Sequence, residues 1–261
     1  MADSRKLKAL LLAAAIALTY MTARNALWAV RPVGEWVGLP GTAEVVPINA
    51  PEPQWIFHAD LWLARERVVT VYRVLGLLAC LAVSASLGSW RSWGWHGGST
   101  QQGQAFVGLV SLAWAMVLIG GQGPTAIPSS MCLEGWLLTI PVALFEEACF
   151  RGLLFTSLKS LLKPQWAALW SSLFFACWHY GVQGVEGWPK IVCFGLAACA
   201  AMTAGLGLPW LAFWHELLDG VFLQFDAGGR ASSQWELFSL VACLGLASWA
   251  WQYLSRAPSE C

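Results

Sequence analysis

Residues 135–158 read GWLLTIPVALFEEACFRGLLFTSL. The run is long enough to cross a bilayer, which takes about 20 mainly apolar residues. Its only charged residues, Glu146, Glu147 and Arg151, fall near its middle. A charge near the bilayer centre is costly even on lenient insertion scales. Two carboxylates and a guanidinium at that depth need a reason. The stretch therefore predicts an all-α, polytopic membrane protein with a polar site in its interior.

The whole chain agrees. Of its 261 residues, 57% are hydrophobic and 11% charged. Soluble domains carry roughly 25% charged residues, so this chain has too few to cover a soluble globule. The formal net charge of +0 leaves no electrostatic footprint for nucleic acid. The 18 Trp suit the interfaces of a bilayer, where that residue concentrates. Cys80, Cys149, Cys177, Cys193, Cys199 and Cys243 lie inside apolar stretches, and no Cys-x-x-Cys pair occurs. Small buried hydrophobes are the expectation for them.

Outward from residues 135–158, apolar spans are expected at roughly 7–30, 68–88, 104–120, 166–181, 189–206, 208–225 and 235–254, about eight in all. The breaks are turn-like: Gly120-Gly121-Gln122-Gly123-Pro124, Lys163-Pro164, Gly187-Trp188-Pro189 and Gly207-Leu208-Pro209. The first span is long for a signal peptide and has no small-residue cleavage site after it, so a retained helix is expected. A proline-rich loop over about 31–66 follows, with an interfacial amphipathic segment from Gln54 to Arg67. The Lys/Arg bias puts both ends of the chain in the cytoplasm. The expected organisation is 1–130 for the N-terminal helices and their long extracytoplasmic loop, 131–225 for a catalytic helical core, and 226–261 for a last helix and tail.

Three polar clusters lie in separate spans. In the first, Glu147 and Arg151 are four residues apart on one helical face and can pair. Glu146 points elsewhere, free to face a cavity. A structural salt bridge would explain Glu147 with Arg151 but not Glu146. The second cluster is Phe174-Phe175-Ala176-Cys177-Trp178-His179. A lone His among aromatics is more often a packing residue than a catalyst. The third is Trp214-His215-Glu216-Leu217-Leu218-Asp219. His215 and Asp219 share a face, so the carboxylate can fix the imidazole's tautomer, and Glu216 projects elsewhere, toward a neighbouring helix or an interface. Together, a carboxylate base, a His to share its proton and a second His with an acid nearby make a water-activating site.

Glu146-Glu147-x-x-x-Arg151, Phe175-x-x-x-His179 and His215-x-x-x-Asp219, in that order, resemble the three motifs of the CAAX-protease and bacteriocin-processing family of glutamic intramembrane endopeptidases. The resemblance covers roughly residues 130–225. It implies an all-α membrane fold with a site between these helices. By that likeness Glu146 and His179 would activate water, Glu147 and Arg151 would hold the first motif's geometry, and His215 with Asp219 would stabilise the oxyanion. Position 219 is often Asn in the family, and an ionised Asp cannot donate a hydrogen bond. Asp219 is then either protonated or an orienter of His215.

A zinc ion held by Glu146, His179, His215 and Asp219 is the alternative to a metal-free site. No His-Glu-x-x-His motif is present, so no cofactor is expected. The expected partners are the lipid bilayer and a membrane-associated or exported protein or peptide, with no nucleic acid. The expected location is a bacterial inner (plasma) membrane. Two other functions stay open: a non-catalytic membrane factor on the same fold, such as a bacteriocin-immunity or scaffold protein, and a proton-coupled transporter.

Overall fold

A computed structural model describes residues 7–8, 11–12, 14–15, 59–88, 90–121, 129–183, 187–225 and 233–258. Every regular element among them is helical. In chain order they are α1 (Ala59–Leu87), a 3-10 turn (Trp90–Trp93), α2 (Gln101–Gly121), α3 (Ser129–Glu146), a π-helix (Glu147–Phe155), α4 (Thr156–Lys159), α5 (Pro164–Gln183), α6 (Trp188–Thr203), α7 (Leu208–Phe225) and α8 (Ser233–Arg256). Helices occupy the positions expected for the second to eighth spans. The first span and the long loop lie largely outside the described residues. By length and hydropathy, the helices over Thr70–Leu87 and Leu237–Arg256 can cross a membrane.

Local sequence explains where helices begin. Pro164 opens α5, and Pro189 and Pro209 sit at the second positions of α6 and α7. Proline is tolerated there because its missing N–H would have had no helical partner anyway. Two expectations are corrected. Residues 59–66, expected at the end of the long loop, are the opening turns of the 29-residue α1. Cys177 is exposed, whereas Cys80, Cys149, Cys193, Cys199 and Cys243 are buried.

The packing is inverted relative to a soluble protein. Leu75, Leu78, Leu112, Leu137, Phe174 and Val241 face outward, while Glu146, Glu147, Arg151 and His215 are buried. An apolar exterior around a charged interior is the arrangement a lipid environment favours.

The π-helix lies at the centre and touches α1, α3, α5, α6 and α7. Small residues let the surrounding helices come this close. A Cβ on Gly76 of α1 would sit 2.6 Å from the Phe145 ring, and one on Gly220 of α7 would sit 2.3 Å from the Trp136 indole. The start of α7 is clasped by the loop after the 3-10 turn. Leu208 N–H donates to the Gly94 carbonyl and Gly207 N–H to the Gly98 carbonyl, both at 2.9 Å. A side chain at Gly207 would collide with the His96 carbonyl. This clasp sets the height at which α7 presents His215.

Candidate active site

The first polar cluster straddles a change of helix type. Glu146 ends α3 and Glu147 begins the π-helix. A π-helix uses i→i+5 hydrogen bonds, so its turn is wider than an α-helix's. Side-chain hydroxyls also bond its carbonyls. Ser171 Oγ of α5 donates to the Phe150 carbonyl at 2.8 Å, and Thr156 Oγ1 donates to the Arg151 carbonyl at 3.1 Å. Gly152 keeps the segment slim: a Cβ there would lie 3.1 Å from Leu208 and 3.3 Å from the Trp93 carbonyl.

Glu147 and Arg151 form the expected pair, Oε1 to a terminal guanidinium nitrogen at 3.2 Å, with both side chains 1% exposed. The guanidinium carbon also lies 4.0 Å from the centroid of the Phe175 ring and 5.6 Å from that of Phe194. Such contacts stabilise a desolvated cation. The same Glu147 oxygen accepts a hydrogen bond from His215 Nδ1 at 2.8 Å. The hydrogen-bonded carboxylate of this imidazole is therefore Glu147. Asp219 Oδ2 is 3.7 Å from the other ring nitrogen of His215, beyond hydrogen-bond range, and its side chain is 30% exposed.

Glu146 is not left free. Its Oε1 accepts a 2.9 Å hydrogen bond from Trp178 Nε1. Its Oε2 lies 3.5 Å from His179 Nε2 and 3.6 Å from His215 Nε2. His179 Nδ1 is 2.9 Å from the Phe175 carbonyl. A carbonyl only accepts, so Nδ1 carries the proton. In the neutral ring Nε2 is then an acceptor aimed at Glu146. The Phe175 ring packs edge-on against both imidazoles, with centroids 4.5 Å from His179 and 5.8 Å from His215. The six residues singled out from the sequence thus converge, Asp219 at the more open edge.

Residues 128–221 match the family model described as type II CAAX prenyl endopeptidase Rce1-like. Over that segment the chain is similar to the CAAX-protease family. The family consists of membrane-embedded proteases, and the matched segment contains every residue of the cluster just described. It covers just over a third of the chain, from the start of α3 through most of α7. No curated protein and no solved structure matches the chain.

Three further residues enter this site. Trp178 was quoted from the sequence only as an aromatic neighbour of His179. Arg73 of α1 brings a positive charge that acts on Glu146; the signal was an arginine inside an expected span. Thr139 Oγ1 donates to Glu216 Oε1 at 2.7 Å and ties α3 to α7, which is the neighbouring-helix alternative expected of Glu216. Among the described residues, no group of three or more His, Cys, Asp or Glu side chains is arranged to hold a metal ion.

Proposed function

We propose that the chain is an intramembrane endopeptidase of the glutamic type. It would hydrolyse a peptide bond in a membrane-associated or exported protein or peptide, in a bacterial plasma membrane with both ends of the chain cytoplasmic. The observation that carries this reading is the approach of Glu146 Oε2 to two imidazole nitrogens at 3.5 and 3.6 Å.

An ionised Glu146 Oε2 and a neutral His179 Nε2 are both acceptors and cannot bond to each other. They can share the two protons of one water, leaving its lone pair directed outward. As that oxygen attacks the scissile carbonyl, Glu146 takes its proton and later returns it to the leaving amine. The tetrahedral oxyanion needs a donor. His215 supplies it through Nε2–H, which requires the doubly protonated ring because Nδ1–H is committed to Glu147. Ionised Asp219 accepts only, and it faces the same nitrogen from the open side. Arg151 holds Glu147 against this network.

Comparative proteomics of membrane fractions from cells with the wild-type chain or Glu146→Gln tests the reading. A specific membrane or exported precursor should accumulate with the variant and mature with the wild type. Identical proteomes, together with a retained phenotype for Glu146→Gln, would instead establish a non-catalytic membrane factor on the same helices.

A further inference from the structure

We propose that Trp178 is a positioning residue for the catalytic base, holding Glu146 Oε1 so that Oε2 stays directed at His179 and His215. The proposal rests on the reading of Glu146 as the base and extends it to a residue that occupies an unspecified position of the second motif.

The geometry is that of a clamp made by two consecutive residues. Trp178 Nε1 donates to Glu146 Oε1 at 2.9 Å, while His179 Nε2 stands 3.5 Å from Oε2. One turn of α5 thus addresses both oxygens of one carboxylate. Without the indole, rotation about the terminal bond of Glu146 would exchange the two oxygens and carry either away from the imidazoles. That terminal torsion is broad and only weakly restrained by its own sterics.

The chemistry of indole suits this place. Its N–H donates only and does not titrate near neutral pH. It can therefore fix a carboxylate without competing for the proton of an attacking water. A tyrosine or histidine at 178 would add an acceptor or a second titrating group beside the base.

The indole is itself immobilised. Trp178 is 5% exposed. Its ring lies against Phe145 at 5.8 Å and Phe150 at 5.7 Å between centroids. These two rings bracket the Glu146-Glu147 pair in sequence. Phe145 is in turn backed by Gly76 of α1, where any side chain would intrude. The donor is thus held by aromatic packing that does not depend on the hydrogen bond it makes.

The test uses the full chain in detergent, with tryptophan indoles labelled by 15N. The Trp178 resonance is assigned by its disappearance in Trp178→Phe. It should move when Glu146→Gln replaces a charged acceptor by a neutral one, a readout that packing alone would leave in place. A resonance that does not respond overturns the proposal. The second readout is conversion of the precursor that accumulates with Glu146→Gln. Trp178→Phe should slow it roughly 10- to 100-fold, the effect of losing one hydrogen bond to a charged group, with the thermal midpoint preserved. Should Trp178→Phe fail to fold, β-(3-benzothienyl)alanine at 178 keeps the ring shape and deletes only the N–H. Wild-type conversion by either variant, beside a dead Glu146→Gln, overturns the positioning role and leaves the glutamate reading standing. Conversion by Glu146→Gln overturns the glutamate reading itself.

Discussion

Glu147 and His215 are 68 residues apart in the chain, and their side chains meet at 2.8 Å between Oε1 and Nδ1. The bond joins the first polar cluster to the third and leaves the other carboxylate of the Glu-Glu pair for a different task. Because Arg151 contacts the same oxygen at 3.2 Å, a buried cation, a buried anion and an imidazole form one connected unit.

That unit predicts unequal effects of changing its members. Glu147→Gln leaves Arg151 uncompensated while 1% exposed. Breaking one side of a buried ion pair costs roughly 3–5 kcal/mol, so this variant should unfold at a clearly lower temperature in detergent. Adding Arg151→Met removes the unpaired charge and should restore most of the thermal midpoint. Precursor conversion should stay low, because a neutral amide is a weaker partner for the His215 imidazolium. Full activity in the double variant would refute the assignment of Glu147 as the orienter of His215.

Asp219 gives a prediction in the opposite direction. It lies 3.7 Å from His215 Nε2 with a partly open side chain. Asp219→Asn supplies an N–H donor of the same shape, and conversion should remain within a few-fold of wild type or rise. Asp219→Leu removes all polar capacity and should lower conversion by roughly tenfold or more. Measured rates of precursor conversion that rank Leu above Asn would remove this residue from the oxyanion side of the site.

Metal dependence is checked directly on the purified chain. Precursor conversion should survive strong chelators, and elemental analysis should find no stoichiometric zinc. Inactivation by chelation, reversed by adding zinc, would replace the mechanism proposed above.

A pH effect is expected at the surface. Arg67 Nε donates to Glu134 Oε1 at 2.5 Å, linking α1 to α3. This hydrogen bond, and secondarily the Arg67 charge, hold the Glu134 carboxyl below the usual carboxylate range. A depressed pKa means the contribution is complete above the ordinary glutamate value and is lost as pH falls through the lowered one. The thermal midpoint of wild type should therefore approach that of Glu134→Gln between pH about 6 and about 3. The side chains are 52% and 36% exposed, so the difference should be small and shrink with added salt. A difference that grows toward low pH would show that the pair is not the cause.

The helices were legible because the signals are local. Pro164, Pro189 and Pro209 mark helix starts wherever the chain goes next, and buried charges in apolar runs flagged Glu146, Glu147 and Arg151 without knowledge of their partners. What failed was long-range or too subtle for a residue pattern. The spacing of His215 and Asp219 put the two on one face, where they lie 3.7 Å apart, but it could not show that Glu147 arrives from another helix and bonds the second ring nitrogen. Glu146 looked free on its own helix, since its donor lies on α5. Arg73 was visible as an intramembrane charge, yet its relation to Glu146 depends on the packing of α1 beside the π-helix. Nothing in the letters EACFRGLLF distinguishes i→i+5 from i→i+4 bonding, because both use the same apolar residues and differ in where neighbouring helices supply donors.

The nine-residue π-helix has a consequence for comparing this chain with others. Its wider turn puts the stretches before and after it out of phase with a single continuous α-helix. A relative lacking one residue between 148 and 155 would align well by eye, since one apolar letter fewer scarcely changes the score. Beyond the gap, however, residues written in the same column would point in different directions. An arginine in the column of Arg151 would therefore be evidence of a shared site only where the spacing from Glu147 is kept to the residue.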